Sequence, residues 1–462
     1  MSDPPTPTVI ILAAGQGTRM KSDLPKVLHE VAGRPMLMWT VEAARVITSD
    51  ENIAVVIGHQ ADLVRAILPT GIKTVTQLDQ RGTGHAVLLA LEEGVGSEGV
   101  VVVVPGDTPQ LRGEVLEQLV DFKTDSSSGV VLLTANVEAP TGFGRVIRDT
   151  DGTVVRIVEQ RDATESELAV SEVNTSVYAF DAAALREVIG DLKTDNAQQE
   201  MYLTDTVGLI RERGGVQAMV GDADDSLGIN TLGQLADVDA VMRMRINQEL
   251  MDSGVKILDP SRTYIDASVT VEPGATIYPD VYLQGGTTVA DQAVVGPSVF
   301  AIDSEIGTGA RVWYAVLREA IIGPRTEVGP YASVRKGTVA DAGAKIGTFV
   351  ETKNTHLGEG AKVPHLSYIG DARVGQNSNI GAGSITCNYD GFEKHETVIG
   401  DNVRIGSDTM LVAPVEVGDG AWTGAGSVIS RNVSPGALAV ERGNQKEIPD
   451  YAAKRKAKAD DT

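Results

Sequence analysis

Cysteine is almost absent from this 462-residue chain: Cys387 stands alone, so no intramolecular disulfide can form and a reducing compartment is expected. Large aromatic anchors are also few, with three Trp, ten Tyr and six Phe, which favours a core of small and β-branched side chains. Basic residues are outnumbered, 40 Lys and Arg against 63 Asp and Glu, for a formal charge of -23. That balance excludes a chain-wide attraction to nucleic acid or anionic lipid, and any anionic ligand must rest on local cations. Long apolar runs are missing as well. The first, Val9 to Ala14, is far shorter than the ~18 residues of a membrane span, and Met1 to Pro5 lacks the basic stretch of a secretory signal. A cytoplasmic protein is expected, with neither nucleic acid nor membrane as partner.

Glycine is what the chain has in excess: 50 residues, about 11% against a usual ~7%, a sign of many tight turns. At roughly 100 to 200 residues per domain the length implies two to four domains. Leucine marks a boundary, with 24 in residues 1–253 and 7 in 254–462, where 24 valines stand instead. In the first part, short apolar runs (Val9 to Leu12, Ile53 to Ile57, Val100 to Val104, Gly129 to Leu133, Val177 to Phe180) are separated by amphipathic stretches such as Met36 to Val46 and Val87 to Glu92. That alternation predicts an α/β domain with a mostly parallel sheet covered on both faces. Leu235, Val238, Val241, Met242, Ile246 and Leu250 recur at helical spacing before Ser253-Gly254, which predicts a rigid connecting helix. The expected divisions are 1–232, a linker at 233–253, and an all-β domain at 254–462.

The second part repeats every six residues. Ile265, Val271, Ile277, Leu283, Val289 and Val295 form one run; Ile322, Val328, Val334, Ala340 and Ile346 a second; Ile399, Ile405, Leu411, Val417, Thr423 and Ile429 a third. This period fits neither helix nor hairpin and predicts a parallel β-helix with one inward aliphatic residue and one corner per hexad. Glycines at the corners would account for the excess. The rhythm breaks around Glu351 to Tyr368, where functional loops are expected to project.

After the first strand comes Leu12-Ala13-Ala14-Gly15-Gln16-Gly17-Thr18-Arg19-Met20, then Leu24-Pro25-Lys26. Glycines following a parallel strand let backbone N–H groups approach a phosphate. The spacing is neither that of a P-loop nor, with Met20 at the third glycine position, that of a dinucleotide turn.

This segment resembles the signature of nucleoside-triphosphate sugar-1-phosphate transferases. Together with Gly82-Thr83-Gly84-His85-Ala86, Gly142-Phe143-Gly144-Arg145 and the hexapeptide half, the chain from about Val9 to Arg442 resembles the family of bifunctional N-acetylglucosamine-1-phosphate uridylyltransferase/glucosamine-1-phosphate acetyltransferases. The resemblance implies a Rossmann-like nucleotidyltransferase domain, a connecting helix and a left-handed parallel β-helix. It implies UTP and acetyl-CoA as co-substrates, with Leu12, Ala13, Ala14 and Gly15 at the nucleotide and Arg19 and Lys26 as catalytic cations. Gln77, Gly82 and Thr83 would read uracil, and Gly144, Glu159 and Asn174 would meet the sugar. Asp107 with Asn230 would hold Mg2+, whose remaining positions go to water and phosphate. Ser176, Gln199 and Gln110 depart from the family pattern, and Ser176 puts the backbone near Asn174 in question because serine resists positive φ.

For acetyl transfer, the resemblance assigns Arg335, Lys353, Tyr368 and Asn379 to the sugar phosphate, and Ala382, Asn388, Tyr389, Ser407, Ala425 and Arg442 to acetyl-CoA. A lone histidine is more often structural than catalytic, but the 2-amino group must be deprotonated to attack the thioester, and His365 in this setting is the candidate base. Direct transfer needs no thiol, so Cys387 is read as a small packing or pocket residue. Lys336 departs from the usual proline. The resemblance further implies a homotrimer with shared acetyl sites. The basic run at Lys454 to Lys458, followed by Asp460-Asp461, reads as a solvated, disordered tail. Two other readings stay open: a nucleotide-sugar pyrophosphorylase with a purely regulatory repeat domain, and a non-enzymatic oligomeric scaffold. Lys353, His365 and Tyr368 argue against the first, and Arg19, Asp107, Asn230 and His365 against the second.

Overall fold

The computed structural model describes residues 6–226 and 228–460. The chain divides into two compact units, Met1–Met242 and Arg243–Thr462.

The first unit is built on a sheet of β1 (Thr8–Ala13), β2 (Ile53–Ile57), β3 (Lys73–Thr76), β4 (Val100–Pro105), β5 (Val130–Asn136), β6 (Arg145–Arg148), β7 (Val154–Val158), β8 (Glu172–Asp181) and β9 (Val216–Gly221), in the order β9-β5-β8-β4-β1-β2-β3, with β6 paired to β8 and β7 to β6. β1 is parallel to β2 and β4, β2 to β3, and β5 to β9, while β8 runs antiparallel to both β4 and β5. Successive strand residues face opposite sides, and both sides are covered. Ile10, Val56, Val103 and Leu132 pack into one layer and Ile11, Val55, Val104 and Leu133 into the other. That double burial is why these strands read as unbroken apolar runs. The chain moves from β1 outward to β2 and β3, then returns to the other side of β1 for β4. The order therefore switches between β1 and β4, and the crevice at the carboxyl ends of such a pair is where an open α/β sheet takes its ligand. The amphipathic stretches fold as the helices Met36–Arg45 and Thr83–Glu92.

The long helix runs over Leu232–Asp252. Its apolar periodicity is only partly matched by burial: Met242 is buried but Val241 is exposed. Asn247, which the apolar pattern passes over, is fully buried and donates through Nδ2 to the Pro260 carbonyl at 2.9 Å and the Thr263 carbonyl at 3.0 Å.

The second unit is a parallel β-helix. Short strands stack with Thr276 opposite Val294 and Val281 opposite Val299, a step of eighteen residues, or three hexads per coil. All seventeen residues of the three hexad runs are buried. Some coils lose one residue at a corner: Glu351 pairs with Tyr368 and Lys362 with Asn379. The large departure lies later, where Ala372 pairs with Thr397, a step of twenty-five. The loop that projects is therefore 388–396, and not the expected Glu351 to Tyr368 stretch, where the coil is merely one residue short. At the corners Gly309, Gly343 and Gly360 take left-handed φ of 66°, 67° and 67°, as expected, but residues other than glycine do so too. Tyr314, Tyr331, Phe349 and Leu366 occupy left-handed corner positions on successive coils with φ of 44°, 58°, 56° and 50°. Other glycines answer a different demand: a Cβ on Gly347 would come within 2.0 Å of the Pro364 carbonyl oxygen on the next coil. Glycine stands there because backbone passes over it.

Tyr451–Asp460 forms a helix with every residue exposed, where composition predicts a disordered end. Its Ala and Lys content favours helix without supplying an apolar face.

Candidate active sites

The switch between β1 and β4 opens into a cleft of about 550 Å³, lined by Leu12, Ala13, Ala14, Gly15, Arg19, Lys26, Gln77, Gly82, Thr83, Asp107, Gly144, Glu159, Asn174 and Asn230 among others. All the residues that sequence reasoning assigned to nucleotide, sugar and metal come together in it. Gly106 N–H donates to the Leu12 carbonyl at 2.9 Å, tying the two strand ends and setting Asp107 beside the glycine loop. Gly17 takes φ 62°, and a Cβ there would meet Lys26 Cβ at 2.6 Å, so the glycine admits the lysine stem into the cleft.

The polar groups then converge. Lys26 Nζ pairs with Asp107 Oδ2 and donates to Asn230 Oδ1 at 2.9 Å, and Arg19 donates to the same Asn230 oxygen at 2.7 Å. A carboxylate and an amide oxygen thus meet on one ammonium. This is a pair of hard donors suited to a cation that keeps most of its other positions for water and phosphate.

Glu159 accepts from Thr204 Oγ1 at 3.3 Å. Burial holds its carboxyl above the usual range, and Asp205, Asp162 and Glu200 push the same way. Asn174 N–H donates to the Gly144 carbonyl at 2.9 Å, and Asn174 Nδ2 donates to the Tyr178 hydroxyl at 2.7 Å. Gln80, which sequence reasoning missed, donates to the Ala14 carbonyl at 2.6 Å and steadies the glycine loop. A glutamine in a polar loop carries no signal that would single it out.

In the β-helix, His365 is exposed at the end of the strand Lys362–His365 and lies opposite Thr348 on the neighbouring coil. The register continues from Lys362 to Asn379 to Arg404 to Trp422. This places Ala382, Ser407 and Ala425 at the position of His365 on the three coils that follow, Ala382 partly buried and the other two exposed. Arg442 lies in the segment after the last strand, also exposed.

Around the corner from His365, in the 17-stranded sheet, Arg335 donates to Glu351 at 2.7 Å, and Lys353 sits opposite Gly370. Asn388 Nδ2 donates to the Tyr368 hydroxyl at 3.4 Å and also bonds Asp371. Asn388 therefore joins Tyr368 and not the column of Ala382, Ser407 and Ala425. Tyr389 stands in the projecting loop and donates to the Gly391 carbonyl at 2.6 Å. Asn379 is not brought to Tyr368, since it lies in the 11-stranded sheet on the other side of the corner. Lys394, in the same loop, was not foreseen. Its ammonium, then desolvation and the Arg335 charge, hold Lys353 below its ordinary range, against the pull of Asp371.

Residues 9–197 match the model of the MobA-like NTP transferase domain, and residues 396–431 match the bacterial transferase hexapeptide (six repeats). The "Bifunctional protein GlmU" of Streptomyces avermitilis is 48% identical over 455 residues, covering 97% of this chain and 94% of its own. The protein of that name from Caldanaerobacter subterraneus subsp. tengcongensis is 45% identical, covering 94% and 95%, and that from Corynebacterium diphtheriae 44%, covering 99% and 96%.

The chain belongs to the GlmU family. It is a bifunctional transferase of two domains, nucleotidyltransferase and hexapeptide-repeat acyltransferase. Its departures from the GlmU pattern are accommodated locally. Ser176 does take φ 63°, held by its N–H donating to Asn174 Oδ1 at 3.1 Å beside a break in the β5–β8 register. Gln199 takes φ 55°, and Lys336 pairs with Glu319. Among the described residues no helix is long and apolar enough to cross a membrane.

Proposed function

We propose that the chain makes UDP-N-acetylglucosamine in two steps, acetylating glucosamine 1-phosphate in the β-helix and then uridylylating the product in the cleft. The observation that carries the reading is the convergence of Arg19, Lys26, Asp107 and Asn230 on one point at the carboxyl ends of β1 and β4. In the second step a phosphate oxygen of N-acetylglucosamine 1-phosphate attacks the α-phosphorus of UTP and the bond to pyrophosphate breaks. The work is positioning and charge neutralisation. Arg19 and Lys26 hold the triphosphate, Leu12 to Gly15 present backbone to it, and Gln77, Gly82 and Thr83 face the base. Gly144, Glu159 and Asn174 receive the sugar. Asp107 and Asn230 would hold Mg2+, which when bound neutralises phosphate charge.

In the first step the amine lone pair of glucosamine 1-phosphate attacks the thioester carbonyl of acetyl-CoA. The C–N bond forms, the C–S bond breaks and CoA leaves as the thiol. His365, exposed and open to substrate, takes the ammonium proton. Arg335 and Lys353 bind the phosphate, Tyr368 and Asn379 orient the sugar, and Ala382, Asn388, Tyr389, Ser407, Ala425 and Arg442 receive the cofactor. Asn379 stands across the corner from Tyr368, which supports a homotrimer in which neighbouring copies complete each acetyl site. The single cysteine supports a reducing, cytoplasmic setting.

Supplying glucosamine 1-phosphate, acetyl-CoA, UTP and Mg2+ and resolving the products tests the reading. UDP-N-acetylglucosamine with stoichiometric CoA and pyrophosphate is expected. Uridylyl transfer without CoA release from any amino sugar would leave the β-helix a regulatory domain, and absence of both activities would leave a scaffold.

A further inference from the structure

His85 has no part in the chemistry above, yet it is buried, at 5% exposure, in the helix Thr83–Glu92. Its Nδ1 lies 3.0 Å from Nε2 of Gln77, and the same Gln77 nitrogen donates to the Gly82 carbonyl at 3.1 Å. A primary amide carries two N–H donors. With one on Gly82 and the other on His85, Gln77 has only Oε1 left to offer the cleft that it lines.

A neutral imidazole accepts at one nitrogen only, and there is a competitor for that role. Arg81 lies with its guanidinium 2.8 Å from His85 Nε2 and can only donate. The two assignments are unequal. If Nε2 accepts from Arg81, Nδ1 carries the proton and the amide must turn its oxygen toward His85. That oxygen then lies 3.1 Å from the Gly82 carbonyl oxygen, acceptor against acceptor where Gln77 is 4% exposed, a costly arrangement. If Nδ1 accepts from Gln77, only Arg81 gives up a partner, and Arg81 is exposed to water. Burial and then the Arg81 charge hold the imidazole below its ordinary range against Asp79 and Glu92, which keeps the accepting lone pair available at neutral pH.

We propose that His85 is a positioning residue that locks the Gln77 amide with its oxygen toward the cleft, so that the site selects a pyrimidine bearing a ring N–H over one bearing a ring-nitrogen acceptor, uracil over cytosine. The inference rests on the uridylyl-transfer reading and deepens it.

The test compares UTP with CTP as donor to N-acetylglucosamine 1-phosphate in the full-length chain carrying His85→Leu, His85→Asn or Arg81→Met. Acetyl transfer and thermal melting monitor folding. Asparagine can place an acceptor near the position of Nδ1, and leucine cannot. His85→Leu is expected to lower the UTP-to-CTP ratio of kcat/KM by about tenfold or more, the scale of one misoriented hydrogen bond. His85→Asn is expected to retain most of the ratio, and Arg81→Met all of it. A folded His85→Leu protein with the original ratio overturns the inference, as does His85→Asn falling as far as leucine, or a collapse in Arg81→Met. An unmodified protein that uses CTP as readily as UTP overturns the uridylyl reading itself.

Discussion

Lys26 pairs with Asp107 at the floor of the first cleft while Asn230 Oδ1 lies 2.9 Å from the same ammonium. Both partners are largely buried, with side-chain exposures of 12% and 19%, so neither charge is freely solvated. Removing the carboxylate unpairs a lysine that is assigned to phosphate and removes one of two oxygens assigned to the cation. Asp107→Ala is therefore expected to lower uridylyl transfer by roughly a hundredfold or more and to leave acetyl transfer within twofold of the original. Parallel assays of pyrophosphate and CoA release check this, and equal loss of both products would sink the two-site arrangement.

The converse holds at the other site. His365→Ala is expected to lower CoA release by about 10²- to 10⁴-fold, the range for a lost general base, with pyrophosphate release unchanged. His365→Gln should be no better, because an amide keeps the polarity but cannot take a proton. Retained acetyl transfer in both variants would assign the base elsewhere.

Glu159 yields a prediction of opposite sign for stability and activity. Burial raises its carboxyl pKa, so the folded state binds more protons than the unfolded state between the ordinary carboxylate range and the raised value. Stability contributed by this group is lost as pH rises through that window. Glu159→Gln removes the buried charge and is expected to raise the melting temperature at pH 7 by on the order of a few degrees. It is also expected to raise the KM for N-acetylglucosamine 1-phosphate by about tenfold. Calorimetry and acceptor titration read the two effects separately, and a lowered melting temperature would show that the carboxylate is stabilised by partners and not penalised.

Gly370 lies beneath the Tyr368 hydroxyl. A Cβ there would come within 2.4 Å of that oxygen and 2.9 Å of Asn388 Nδ2. Gly370→Ala is expected to push the tyrosine ring out, raising the KM for glucosamine 1-phosphate by about tenfold with little change in KM for acetyl-CoA. An unchanged sugar KM would mean that Tyr368 takes no part in holding the acceptor.

Much of this was legible because it is carried by repetition. A hexad has one inward side chain, so Ile265 or Ile405 announces its burial by spacing alone, and apolar runs such as Val100 to Val104 announce a strand buried on both faces. What the pattern could not locate was an insertion. The count resumed at Ile399 without saying where the extra residues lay, and Lys394, which shifts Lys353, stands inside them. Nor could spacing distinguish why a glycine is present: Gly347 yields to a passing carbonyl, Gly309 and Gly343 take left-handed turns, and Tyr314 and Leu366 occupy left-handed corners with no glycine at all. Side-chain pairings such as Gln77 with His85 depend on which atoms meet across eight residues, and no periodicity encodes that.

The column of His365, Ala382, Ser407 and Ala425 has one further consequence. Each member belongs to a different coil, and neighbouring parallel strands lie about 4.8 Å apart, so the track from the base to the last small residue is three rungs, or roughly 14 Å. Its length is set in whole steps and is insensitive to side-chain rotamers. The edge is a ruler: duplicating one eighteen-residue coil between Ser407 and Ala425 would lengthen the track by a single increment without disturbing the chemistry at its foot.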